Sequence, residues 1–115
     1  EFGKAQPHPR SYGTYPRVLG KYVREKSVIS LSESIRKMTK LPASVLGLKD
    51  RGEIRKGYWA DLVIFDQDNI IDNATWDNPH QYPSGISWVL VNGEISVENG
   101  YTSKNLHGKV LIHNE

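Results

Sequence analysis

The chain has no cysteine, which excludes a disulfide framework and any thiolate metal site within it and fits a reducing, cytoplasmic location. It also lacks a long apolar run. No stretch approaches the roughly 20 residues of a membrane-spanning helix, and the first residues lack the charged, apolar and small-residue tiers of a secretory signal, so a soluble protein with no membrane partner is expected. Hydrophobic residues make up 37% of 115, low for a core that stands by itself. The chain opens on Glu1 rather than methionine, and a piece of a larger protein is expected. No internal repeat is visible.

Metal-ligand spacing is missing as well. The histidines His8, His80, His107 and His113 are scattered, none at i, i+4 and none beside the partners a zinc site needs, so no metal ligand is expected here. Asp61 and Asp66 bracket a short apolar run. Five extended steps separate their carboxyls by about 16 Å, too far for joint acid and base work on one bond, so both read as turn and strand-end residues.

What is present begins with a polarised charge. Residues 1–56 carry 13 Lys and Arg against 5 acids, and residues 57–115 carry 2 against 8, behind a net charge of +2. The basic residues fall on helical faces without interleaved stacking aromatics, which reads as solvated surface and not as a nucleic-acid site. Residues 1–13 are polar, hold Pro7 and Pro9, and read as an irregular loop. Thr14 would cap a helix running to about Lys26, with Tyr15, Val18, Leu19, Tyr22 and Val23 as its buried stripe and Arg17, Lys21, Arg24 and Glu25 in water. Ser30 and Glu33 have the spacing of a capping box for a second helix over residues 31–39, buried through Leu31, Ile35 and Met38.

Pro42 and Gly47 punctuate one further helical turn, and Leu62–Phe65 reads as a strand covered on both faces. Residues 67–83 read as a long surface loop. Asn92-Gly93 is the preferred pair for a two-residue type I′ hairpin, which pairs Val91 with Glu94 and Leu90 with Ile95. That register puts Trp88, Leu90, Ile95 and Val97 on a core face, with Val89 and Ser96 opposite. A turn at Asn105–Gly108 and a last strand over 109–113 complete the reading. Trp59, Trp76 and Trp88 read as core and interface anchors.

The stretch LPASVLGLKDRGEIRKGYWADLVIFD, residues 41–66, resembles the C-terminal end of the metal-dependent amidohydrolases. HPRSYGTYPRVLG at 8–20 and NPHQYP at 78–83 narrow the resemblance to the N-acyl-D-amino-acid deacylase (D-aminoacylase) branch. The resemblance implies an α+β fragment of a TIM-barrel-plus-β-sandwich enzyme. Residues 1–47 would be a loop and helices from the end of the barrel, and 48–115 part of a small antiparallel β-sandwich. It implies an N-acyl-D-amino acid as small-molecule substrate, a zinc ion that activates water and polarises the amide carbonyl, and an aspartate shuttling the proton, with zinc ligands and aspartate upstream of this chain. Arg10, in a loop at the barrel mouth, would read the substrate's α-carboxylate through two parallel hydrogen bonds. Tyr12 would orient substrate or backbone, His8 is a further substrate-binding candidate, and His80 could close as a lid. Without the resemblance, Arg10 reads as a partner for a surface acid, His80 as structural, and the chain as a non-catalytic β-module binding a protein partner.

Overall fold

The computed structural model describes residues 5–112. Helix α1 (Arg10–Arg17) runs into a π-helix (Val18–Glu25), and α2 (Leu31–Met38) and α3 (Lys40–Val45) follow. A four-stranded sheet comes after them, β1 (Leu62–Phe65), β2 (Ile86–Val91), β3 (Glu94–Glu98) and β4 (Tyr101–Thr102), adjacent in that order. Pairs β2–β3 and β3–β4 are antiparallel. The fold is α+β. No helix among the described residues is long and apolar enough to cross a membrane. The residues form two compact units, one of residues up to Leu31 with Phe65–Ile86, the other of Ser32–Ile64 with residues from Ser87 onward.

In the first unit the helix starts five residues earlier than the apolar stripe indicates. Arg10–Gly13 are helical, not loop, and Thr14 is no cap: its hydroxyl donates back to Arg10 O at 2.7 Å. Pro16 sits inside α1. Its nitrogen has no hydrogen to give and its ring crowds the carbonyl four residues back, and the wide π-helical spacing sets in two residues later, ending with Lys26 N donating to Lys21 O at 2.9 Å. The buried face is accordingly rotated to Gly13, Pro16, Leu19 and Gly20, and Tyr15 is 62% exposed.

That face meets residues 70–72. A Cβ on Gly20 would lie 2.6 Å from Ile70 O, and one on Gly13 2.6 Å from Asp72 Cβ, so only glycine allows the approach. The segment read as a surface loop therefore supplies the deepest apolar residue, Ile70 at 2% exposure, with Ala74 also buried. It is held locally. Asp66 accepts from Asp68 N at 2.9 Å and Asn69 Nδ2 at 2.6 Å, Ile70 N returns to Asp66 O at 2.8 Å, and Ile71 bridges Ser84. These donors, Asn69 foremost and then Asp68 N, hold the Asp66 carboxyl below its ordinary pKa. The face expected to be wet is engaged too: Arg24 donates to Ile70 O at 2.7 Å and Gln67 O at 3.1 Å.

In the second unit α2 covers the span expected of it, but its most buried residue is Ser34, with Leu31, Ile35 and Met38 only half-buried. Glu33 takes two hydrogen bonds from Arg36, at 2.7 and 2.8 Å. Helix α3 ends as Pro42 and Gly47 indicate. Leu48 N donates to Ala43 O at 2.9 Å and Gly47 N to Ser44 O at 3.2 Å, the paired bonds of a Schellman cap around a left-handed Gly47. Strand β1 has the expected bounds. Val63 and Ile64 are 54% and 48% exposed, so the cover that their apolar run led us to expect on both faces is not supplied by the described residues.

The hairpin turns at Asn92 (φ 53°) and Gly93 (φ 85°), both left-handed as type I′ requires. Val91 pairs with Glu94 and Leu90 with Ile95 as expected, and then the register shifts, so that Val89 faces Val97 and Trp88 faces Glu98. A bulge at Ser96 thus places Val97 with Val89 and not with Trp88 and Leu90. The face expected as core is open, with Ile95 49% exposed. Asp61 fastens the turn, accepting from Asn92 N at 2.8 Å and pairing with Arg51, which donates to Asn92 Oδ1 at 2.7 Å. Arg51 and Lys109 both lie over the Trp59 ring, 5.3 and 5.0 Å from its centroid. Trp59 and Trp76 are 43% and 69% exposed, so neither is a core anchor within the chain. The fourth strand is Tyr101–Thr102, and Lys109–Ile112 form none. His113, the expected end of a last strand, lies outside the described residues.

Gly85 and Gly93 share a φ of 85°, but a Cβ on Gly93 meets nothing within 4 Å, whereas one on Gly85 would lie 2.6 Å from Ile70 N and Cα. Gly93→Ala is expected to lower stability by about 1 kcal/mol, the left-handed backbone term alone. Gly85→Ala should lose at least twice that, because backbone must move as well. Denaturation midpoints of the two variants, measured side by side, check the order.

Candidate functional site

The start of α1 collects the residues that the sequence singles out. Pro9 occupies the cap position without a side-chain hydrogen bond, and the first free helical amide is met by an imidazole instead: Arg10 N donates to His8 Nδ1 at 3.0 Å. The backbone continues the cap, with Ser11 N on His8 O at 2.9 Å and Gly13 N on Pro9 O at 3.2 Å. The His8 ring stands edge-on to Trp76, centroids 4.5 Å apart, and Gln6 Nε2 donates to Trp76 O at 3.0 Å. His8 is thus bound to the helix start through its ring nitrogen.

Arg10 is exposed, and among the described residues no carboxylate pairs with its guanidinium. The surface acid that its bland reading requires is not found among the described residues. Arg10 lines a depression of about 240 Å³ with Ser11, Tyr12, Thr14, Tyr15 and Pro16. Two turns further along, Arg17 donates to Asp72 at 2.9 Å, where the Asp72 side chain is 8% exposed. That hydrogen bond, and next the attraction of the same carboxylate against the opposing effect of burial, raises the Arg17 pKa above its ordinary value.

Tyr12 and His80 meet, 68 residues apart in sequence. Tyr12 Oη lies 2.8 Å from His80 Nδ1, and His80 Nε2 lies 2.6 Å from Ala5 O. A carbonyl only accepts, so Nε2 carries the hydrogen; the neutral ring then leaves Nδ1 as acceptor and Tyr12 Oη as donor. Tyr82 packs edge-on to Tyr12 at 5.7 Å. Gln81 holds the loop by donating to Asn73 O at 2.8 Å and Asn78 O at 2.9 Å. The proline-flanked NPHQYP pattern signalled a rigid loop; the tyrosine that its histidine meets had no signal in the sequence.

The other candidates fall elsewhere. Asp61 and Asp66 serve a turn and a strand end, as their spacing indicates. His107 lies in the second unit, its carbonyl taking Asn92 Nδ2 at 2.7 Å. Among the described residues no three of His, Cys, Asp and Glu gather as metal ligands.

Residues 2–97 match the amidohydrolase family. The chain belongs to that family. It is 54% identical over 89 residues to the N-acyl-D-glutamate deacylase of Alcaligenes xylosoxydans xylosoxydans, covering 77% of this chain and 18% of that protein. The crystal structure of D-aminoacylase superposes with a TM-score of 0.92 at 42% identity, covering 94% of this chain and 23% of the other. The N-acyl-D-glutamate deacylase of Bordetella bronchiseptica, solved with zinc and a phosphonate mimic of the tetrahedral intermediate, gives 0.79 at 44% identity, over 90% of this chain and 23% of the other. The chain spans about a fifth of the length of these family members.

The Tyr12–His80–Ala5 geometry sets an observable tautomer. In ¹⁵N NMR above the imidazole's titration range, His80 is expected to carry its proton on Nε2, with Nδ1 unprotonated. A proton on Nδ1 would mean that the Ala5 contact is not a hydrogen bond.

Proposed function

We propose that this chain is the C-terminal part of a zinc-dependent hydrolase that cleaves the amide of N-acyl-D-amino acids, and that Arg10 reads the substrate's α-carboxylate. The observation that carries the reading is an exposed guanidinium on the first turn of α1, without a carboxylate partner among the described residues, beside an open depression. A guanidinium offers two parallel N–H groups to a carboxylate, and an N-acyl amino acid keeps that carboxylate next to the scissile amide. The deacylases similar to this chain all take names from such substrates. Tyr12 lines the same depression, and His8 caps the turn that carries Arg10.

The zinc ligands are assigned, as the family resemblance implies, to the remainder of the parent, and no step is routed through the metal here. The contribution of this chain is binding and orientation. In the parent, residues 1–47 would belong to the end of the barrel and 48–115 to a β-subdomain, in which the four-stranded sheet would form part of a sandwich. The lack of cysteine supports a cytoplasmic location.

Arg10→Ala in the intact enzyme is expected to lower kcat/KM for an N-acyl-D-amino acid by about tenfold to a hundredfold, the range of about 1.5 to 3 kcal/mol for a charge-assisted hydrogen bond away from water. Arg10→Lys keeps charge without the fork and should fall between. Wild type should discriminate strongly against the same substrate with its carboxylate made a neutral amide, and Arg10→Ala should scarcely distinguish the two. Equal rejection of the amide by both enzymes assigns the carboxylate to another residue.

A further inference from the structure

We propose that His80 is a positioning residue for Arg10, acting through Tyr12. The inference rests on the reading of Arg10 as the carboxylate reader. One imidazole holds the chain on both sides of Arg10: Nε2 donates to Ala5 O, five residues before it, and Nδ1 accepts from Tyr12 Oη, two residues after it. Between these points the backbone is held by local hydrogen bonds. Pro9 gives no side-chain cap; the Arg10 and Ser11 amides are met by His8 Nδ1 and His8 O, and those of Tyr12 and Gly13 by Pro9 O, all from within the segment itself. Such local bonds shape the turn but do not fix it to the rest of the protein, and terminal turns are where local opening begins.

The tie is anchored at its far end. His80 follows Pro79, which is buried, and Gln81 fastens the loop to Asn73 O and Asn78 O. Tyr82 packs against the Tyr12 ring and Trp76 against His8, so the loop over 76–82 touches the turn at three side chains. A guanidinium held in place before substrate arrives loses less freedom on binding. The carboxylate is not changed by the reaction, so the benefit falls on binding in the ground state and the transition state alike, which moves KM and leaves kcat.

Side-chain geometry separates the two hydrogen bonds. An asparagine oxygen reaches roughly where Nδ1 stands, and a glutamine nitrogen roughly where Nε2 stands. In the intact enzyme, Tyr12→Phe and His80→Gln each remove the bond between Tyr12 and His80, and each is expected to raise KM for an N-acyl-D-amino acid by about three- to tenfold with kcat within about twofold. Their combination should be no worse than either alone. His80→Asn restores an acceptor for Tyr12 Oη and should recover most of the loss. The neutral-amide substrate, which does not use Arg10, should show no KM change in any of these variants. Tyr12→Phe keeps the ring packing and carries the test if a His80 variant fails to fold.

Equal losses on the carboxylate and amide substrates, or fully additive losses in the double variant, would overturn the inference and leave a structural role alone. Arg10→Ala with normal kinetics would end the functional reading and this one with it. A strong Arg10→Ala effect beside unaltered Tyr12→Phe and His80→Gln enzymes would end only this one.

Discussion

Close approach of backbone to backbone around Ile70–Asp72 is the constraint on which the candidate site depends. Three glycines make it possible, Gly13 and Gly20 from the helical arm and Gly85 from the start of β2, each with a Cβ position already taken at 2.6 Å. Ile70 is then buried from several sides, and the polar groups that burial would strand are met: Arg24 supplies Ile70 O, and Arg17 supplies Asp72. Burial of one aliphatic side chain is worth about 1.5 to 3 kcal/mol, comparable to a single steric clash, so the arrangement tolerates no added methyl at these points. With residues 70–72 seated, the following loop reaches α1, and Tyr12 meets His80.

The irregular helix serves the same end. Pro16 in an α-helix is a break, and the wide turn behind it rotates the later residues, which brings Leu19 and Gly20 rather than Tyr15 and Tyr22 to the buried face. Small residues at the contact give up side-chain burial in exchange for proximity. The proximity lets the Arg24 guanidinium reach backbone carbonyls and the Arg17 guanidinium reach the Asp72 carboxylate. Ionic and hydrogen-bonded ties thus take over from the apolar stripe, in keeping with the low hydrophobic content of the chain.

In the second unit the order comes from turns. The Schellman cap at Gly47, the type I′ pair at Asn92-Gly93 and the Asp61–Arg51–Asn92 cluster define the backbone while much apolar surface stays open, including Val63, Ile64 and Ile95. Family members about four times longer than this chain accord with that exposure.

What the sequence by itself determined is local: the end of α3 at Gly47, the bounds of β1, the hairpin turn and its first two pairs, and the deacylase resemblance carried by HPRSYG, LGLKDRGEI and NPHQYP. Each is set within a few residues, by left-handed backbone positions or by apolar runs that any context respects. The structure decided what depends on distant partners. Helix α1 begins at Arg10 because an imidazole and a far loop stabilise a turn that its own residues do not advertise. Ile70 is buried because Gly20, 50 residues earlier, and Gly85 leave it room, and Val97 changed faces because a bulge inserts Ser96. The bond between Tyr12 and His80 is invisible in the sequence for the same reason: side chains 68 positions apart are matched by the packing between them, and no spacing rule reports it.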